Sequence, residues 1–251
     1  MPKRELWSFV RSDQASILGE SALNDRPAKF STLLGDWLYQ FAHSKSASPS
    51  LEPVVLEGNV VRLEPLTLGH VDQLSAVGLD DRLWGFMLMR LQTREHMTQF
   101  VEEVLARRRA GDAMPFVTVE KKSGTIVGTT RFMSYDPANS RVEIGGTWIA
   151  KPWQRTAVNT EAKYIMLTHA FEKLLCVRVE LRTDVVNIPS RTAIERLGAI
   201  EEGVLRKHAL TWTGRHRDTV CYSILDDEWP AVKTRLEGFL KRSNGARSGL
   251  T

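Results

Sequence analysis

Cysteine is scarce in this chain of 251 residues: there are two, Cys176 and Cys221, and neither belongs to a Cys-x-x-Cys pair. Each sits in an apolar, strand-like run, where a thiol behaves as a small hydrophobe. A disulfide framework and a catalytic thiol are therefore disfavoured, and a reducing compartment is expected. Long apolar runs are missing as well, and none approaches the ~20 residues needed to span a bilayer. The N-terminus has no signal-peptide core, and its acidic residues argue against a transit peptide, so the cytoplasm is the expected compartment. No Gly-x-Gly-x-x-Gly follows a first strand and no Gly-x-x-x-x-Gly-Lys-[Ser/Thr] occurs, which disfavours a nicotinamide-binding Rossmann domain and a P-loop hydrolase. The six histidines show no ligand spacing, so no metal is expected. Net charge is a mild +4. The one basic run, Arg107–Arg109, falls where a helix should end and cations suit the macrodipole. A nucleic-acid partner is not expected, although the cation excess suits an anionic ligand.

What is present divides the chain in three. In residues 1–50, Phe30, Leu33, Leu34, Trp37, Leu38 and Phe41 recur at helical spacing and stripe a helix over about 29–42. The Ser-rich stretch Ser44–Ser50 then reads as a linker. So short a helix is marginal alone, so its stripe must dock, on the main domain or on a second subunit, which leaves a homodimer open. Residues 54–240 alternate strands and helices, and residues 241–251 form a polar tail. Within the middle segment, strands are expected at Val60–Pro65, Pro115–Glu120, Thr125–Met133, Arg141–Ala150, Val177–Thr183, Ile200–Leu210 and Arg217–Leu225. Helices are expected at Thr67–Val77, around Met97–Leu105 with Thr93 as N-cap and Gly111 as stop, at Asn159–Leu175, at Ser190–Leu197 ended by Gly198, and at Asp226–Leu240. This order predicts an α/β chain with a mixed sheet and helices on both faces.

The stretch Arg141–Lys163 carries the chemistry. A strand ends near Ile149–Ala150, a short loop follows, and a helix begins around Asn159–Thr160. The first turn of such a helix has unpaired N–H groups and partial positive charge, which suits a phosphate. Asn159 is suited to capping that turn or to taking a positive φ.

Gln154–Asn159 resembles the Q/R-x-x-G-x-G/A loop of the GCN5-related N-acetyltransferases, and the surrounding text resembles the RimJ/RimL-type branch of that superfamily. The matching pieces are Glu143–Ile149, Asn159–Lys163, Ala170–Glu172 and Asn187–Gly198 followed by Glu202–Gly203, in the family's order over roughly residues 57–238. The resemblance implies the family's fold, with a splay between strands 4 and 5 when Val60–Pro65 is counted first. It implies acetyl-coenzyme A as co-substrate, with Trp148 and Ile149 flanking the pantetheine arm. The amides of Arg155, Thr156, Ala157, Val158, Asn159 and Thr160 would hold the pyrophosphate, in the loop that Gln154 opens. Asn187 and Ser190 would sit where the thiol end emerges, although both residue types equally suit a turn and a helix cap. Two positions depart from the family pattern. Ala157 replaces the first loop glycine, and Ile194 replaces a tyrosine general acid, leaving Ser190 as the substitute donor.

The implied reaction moves an acetyl group to a primary amine, at a protein N-terminus or on a small molecule, by direct attack in a ternary complex. An α-amine, with a reference pKa near 8, is about a tenth deprotonated at neutral pH and needs only a weak base. Glu143, on the strand lining the cleft, is the expected base. Uninterrupted alternation places Glu143, Gly145 and Thr147 on one face and Ile144, Gly146 and Trp148 on the other. Ala157 and Ile194 keep a non-catalytic module that binds acyl-coenzyme A or a partner as the alternative.

Overall fold

A computed structural model of the chain describes residues 49–248, with side-chain surroundings described as far as Arg242. The stripe Phe30–Phe41 and residues 44–48 of the Ser-rich stretch lie outside the described residues.

The described elements are β1 (Leu56–Glu57), β2 (Val61–Pro65), α1 (Val71–Gly78), α2 (Arg94–Arg109), β3 (Ala113–Glu120), β4 (Thr125–Asp136), β5 (Arg141–Ile149), α3 (Ala157–Glu172), β6 (Arg178–Asp184), α4 (Ile188–Leu197), β7 (Ile200–Leu210), β8 (His216–Leu225) and α5 (Trp229–Ser248). The eight strands form one sheet in the order β1-β2-β3-β4-β5-β6-β8-β7. Every neighbouring pair is antiparallel except β5–β6, which is parallel. The mixed α/β sheet expected from the element order is thus present. β1, with two residues, is too short to carry a hydrophobic period. α5 continues past the expected end at Leu240 to Ser248, so the first part of the polar tail is helical.

Local chemistry accounts for the boundaries. Thr93 Oγ1 accepts the His96 amide at 3.2 Å and starts α2, whose last turn carries Arg107, Arg108 and Arg109. Gly198 ends α4 at φ 112°, a conformation that costs glycine little.

Both faces of the sheet are covered at its centre, which is why β3 is buried at every position. On one face Met114, Phe116, Phe132 and Ile144 pack with Met166 and Leu167 of α3 and Leu236 of α5. On the other, Val117, Val119 and Ile126 pack with Leu74 of α1, Met97 and Val101 of α2, and Trp84. Each fully buried large aliphatic side chain contributes about 1.5–3 kcal/mol against the entropy of ordering the chain. Glu161, in the first half of α3, ties the helix to the sheet edge: its carboxylate accepts the amides of Asn59, Val60 and Val61 at 3.0, 2.5 and 2.7 Å.

Candidate active site

The site begins with an irregularity in β5. Arg131 of β4 pairs with Gly145, but the next pair is Thr129 with Trp148, so β5 carries one extra residue. Gly146 takes φ 56° there, which is the geometry of a bulge. The bulge overturns the uninterrupted alternation expected for this strand. Thr147 turns toward α3, where its Oγ1 lies 2.8 Å from Thr130 Oγ1 and 2.6 Å from Lys163 Nζ. Trp148 turns to the opposite face and packs on Trp84, with ring centroids 5.7 Å apart at 58°. Ile144 and Thr147 therefore share the α3 face, and Glu143 and Trp148 share the other.

β5 loses its parallel neighbour before the bulge. β5 and β6 pair only through Arg141, Val142 and Glu143 with Arg178, Val179 and Glu180. β6 continues along β8 as far as Asp184 opposite Thr219, while β5 continues along β4 to Ile149 opposite Gly128. The two strands diverge, and the β5 edge from Ile144 to Ile149 has no ladder partner in β6. This is the splay expected between the fourth and fifth strands counted from Val60–Pro65. The Trp148 and Ile149 side chains are buried in the two cores, so what these residues present to the gap is backbone.

The chain then bends into α3. Gln154 Nε2 donates to Ile149 O at 2.8 Å, so the Gln154 side chain braces the bend. Arg155 takes φ 62°, a left-handed conformation usual for glycine. Thr156 caps the helix: its Oγ1 accepts the Val158 amide at 3.3 Å and donates to Trp153 O at 2.7 Å. The helix starts at Ala157, two residues before the expected position, and Asn159 lies inside its first turn instead of capping it. Thr156, three residues upstream, starts the helix earlier and caps it there, so Asn159 is not needed as a cap. Ala157 has no positive φ, so a side chain is tolerated where the family pattern has glycine, and the left-handed residue is Arg155. The amides of Ala157 and Asn159 have no intrahelical acceptor and no other among the described residues. Buried Asn159 Oδ1 has no partner among the described residues either. Free amides at a helix start, below a gap lined by unpaired strand backbone, fit a pyrophosphate joined to an amide-bearing arm.

Glu143 is buried at the root of the gap, on the face opposite α3. Burial raises its carboxyl pKa above the ordinary range, and Arg182, Arg131 and Arg217 oppose that rise. Arg182 Nε lies 3.5 Å from Glu143 Oε2. Asn187 caps α4 at the far end of β6, its Oδ1 accepting the Ser190 amide at 3.2 Å. The Ser190 hydroxyl makes no hydrogen bond to another described residue. Ile194 is buried in the core and offers no proton. The buried Tyr222 phenol is engaged by Arg191, Glu195 and Glu201 at 3.0–3.3 Å, so it does not take the missing role. Sequence reading missed Lys163, Arg131, Arg182 and Arg217. Lys163 is visible in retrospect as a cation inside the apolar run Ala162–Leu167, whereas the arginines sit on separate strands whose pairing no local pattern reveals. No group of three His, Cys, Asp or Glu side chains with metal-holding geometry occurs among the described residues. Nor is any described helix long and apolar enough to cross a membrane.

Residues 61–200 match the family model described as "Acetyltransferase (GNAT) domain". The chain is 38% identical over 110 residues to the Bacillus subtilis (strain 168) protein named "Putative ribosomal N-acetyltransferase YdaF"; the match covers 44% of this chain and 59% of that protein. The chain thus spans just over half the length of that relative. It superposes on a GCN5-related N-acetyltransferase from Brucella melitensis with a TM-score of 0.71 at 33% identity, covering 76% of this chain and 87% of the other. It superposes on Mycobacterium smegmatis RimJ, solved in complex with CoA-disulfide, with a TM-score of 0.62 at 25% identity, covering 74% and 91%. These likenesses bear out the RimJ/RimL-type resemblance. A family match over more than half of the sequence accords with the splayed strands and the free amides at the start of α3, and the chain belongs to the GNAT acetyltransferase family.

Proposed function

We propose that this protein transfers the acetyl group of acetyl-coenzyme A to a primary amine. The observation that carries the reading is the loss of β5–β6 pairing after Glu143, on the strand that leads into the α3 start, where the Ala157 and Asn159 amides have no acceptor among the described residues. The β5 edge would pair with the amides of the pantetheine arm. The amides of Ala157 and Asn159 would take the pyrophosphate, together with those of Arg155, Thr156 and Thr160; the Val158 amide is already bound by Thr156. Trp148 and Ile149 would contribute through backbone, and Gln154 through bracing the bend.

The amine nitrogen attacks the thioester carbonyl carbon, and a tetrahedral oxyanion forms that strand amides at the splay are suited to stabilise. The carbon–sulfur bond then breaks and the amide is left. Glu143 takes the proton that the nitrogen loses, and its raised pKa brings it nearer the operating pH of a general base. Ser190, whose hydroxyl has no competing partner among the described residues, is the proposed donor to the departing sulfur, relaying a solvent proton. Names of relatives that mention ribosomal N-acetyltransferase and RimJ make a protein N-terminus one acceptor to test.

The test is release of coenzyme A thiol from acetyl-coenzyme A with a panel of free amino acids, peptides, polyamines and aminoglycosides, with product mass recorded. Thiol release that depends on the amine and yields a product heavier by one acetyl group supports the reading. Tight binding of acetyl-coenzyme A without transfer to any amine would instead support a non-catalytic acyl-coenzyme A module.

A further inference from the structure

The face of the sheet opposite α3 and α5 changes character along its width. Over β3 and β4 it is apolar and packs with α1 and α2. Over β5, β6 and β8 the pairing aligns Glu143 with Glu180 and Ser223, Arg182 with Cys221, and Asp184 with Thr219, with Arg217 two residues farther along β8. Residues spaced by two share a face, so these polar groups form one patch beside the splay. Arg131 joins it from β4. A Cβ placed on Gly146 would lie 2.7 Å from Arg131 Nε, and one placed on Gly145 would lie 3.1 Å from Glu143 Oε1. The two adjacent glycines thus leave room on this face for the Glu143 carboxylate and the Arg131 guanidinium.

The charges in this patch do not balance. Glu180 is held by Arg178 and Arg182 at 3.0 and 2.7 Å, and Asp184 is held by Arg215. Arg182 also reaches Glu143. Arg131 and Arg217 have no carboxylate within ion-pair distance among the described residues, and the Nε atoms of Arg131, Arg182 and Arg217 are buried without a hydrogen-bond partner. Desolvation pulls the pKa of Arg131 and of Arg217 down. Both side chains are partly buried; a partly dehydrated guanidinium without an anion is costly, and its planar fork matches a carboxylate. Two such groups flank the proposed base.

We propose that the amine acceptor carries a carboxylate, which Arg131 and Arg217 bind beside Glu143. This rests on the acetyl-transfer reading and narrows it. The same cations disfavour an ammonium near Glu143, so polyamines and aminoglycosides are poor acceptors. The carboxylate belongs either to a free amino acid or to an acidic side chain next to a peptide N-terminus.

The test uses matched pairs: alanine against alaninamide, and Ala-Glu-Ala-amide against Ala-Gln-Ala-amide. Turnover is measured with acetyl-coenzyme A, and binding to the coenzyme A-loaded protein by calorimetry. In at least one pair the carboxylate member is expected to lead tenfold or more in kcat/KM and to bind more tightly. Preference in the first pair assigns the α-carboxylate, and preference in the second assigns the side chain. In R131Q and R217Q, with coenzyme A affinity retained as the check on folding, the ratio is expected to fall toward one. Equal binding within both pairs in the wild type overturns the proposal, and so does a preference that survives both substitutions. Absence of turnover with every amine defeats the acetyl-transfer reading, while the calorimetric ratio still decides the carboxylate site.

Discussion

Lys163 Nζ lies 2.6 Å from Thr147 Oγ1 and 3.1 Å from Thr130 Oγ1, sealed between α3 and the bulged strand β5. Both partners are neutral, and burial lowers the lysine pKa from 10.5 to about 7. The hydrogen bonds fasten the bulge to the helix that begins the proposed phosphate site, so the group is a positioning residue.

The linkage to stability has a definite sign. Between pH 7 and about 10 an unfolded lysine holds its proton while much of the folded Lys163 does not, so the unfolded state binds more protons and stability rises with pH across that window. Below pH 7 both states are protonated and the penalty is constant. Denaturant unfolding of wild type and K163M at pH 6, 7, 8.5 and 10 should show the wild type gaining on the variant by a few kcal/mol from pH 7 to pH 10. A difference that does not change with pH would remove the buried-cation account.

Replacing Glu143 with Gln should leave acetyl-coenzyme A affinity within about twofold and lower kcat/KM for the amine by roughly 10²–10⁴. In the wild type, the acidic limb of the pH–rate profile should lie above the ordinary carboxylate range, because burial raises the Glu143 pKa. That limb should vanish in E143Q. A variant as active as the wild type would exclude Glu143 as the base.

Asn159→Asp separates helix chemistry from ligand chemistry. A negative charge in the first turn of α3 favours the macrodipole, so thermal stability should hold or rise by up to about 0.5 kcal/mol. The same charge would face the polyphosphate, so acetyl-coenzyme A affinity should fall about tenfold. Unaltered affinity in calorimetry would count against a pyrophosphate at this turn.

Arg155→Gly tests the left-handed residue of the loop. At φ 62° glycine relieves a steric cost of roughly 1 kcal/mol, so the unliganded variant should melt at a slightly higher temperature. A lower melting temperature would mean that the arginine side chain contributes more than its backbone costs.

Glu161→Ala should be severe, because three amides of the β1–β2 connection lose their acceptor. At about 1–3 kcal/mol for each buried unsatisfied donor, a loss of at least ~3 kcal/mol is expected by urea denaturation. E161Q should recover part of it, and a loss below 1 kcal/mol would show that water replaces the carboxylate.

Much was legible in the chain before any coordinates. The apolar period of Met97–Leu105 with Thr93 before it and the stop at Gly198 are local signals, and local sterics and capping act within a few residues. The motifs from Glu143 to Lys163 named the family and the strand–loop–helix segment at which the candidate site lies. Fine geometry departed from these signals where two elements compete. Thr156 took the cap expected of Asn159, and the Gly146 bulge turned Trp148 to the face opposite the one that uninterrupted alternation assigned.

By itself the sequence determined which segments are strands and helices, which α/β family they build and where a phosphate-binding turn should lie, because these depend on neighbours along the chain. Only the tertiary structure decided that Lys163 is buried under Thr147, and that Arg131, Arg182 and Arg217 converge on Glu143. Those relations arise from pairing between strands distant in sequence and from the dehydration that packing imposes, and neither is encoded in any local pattern of residues.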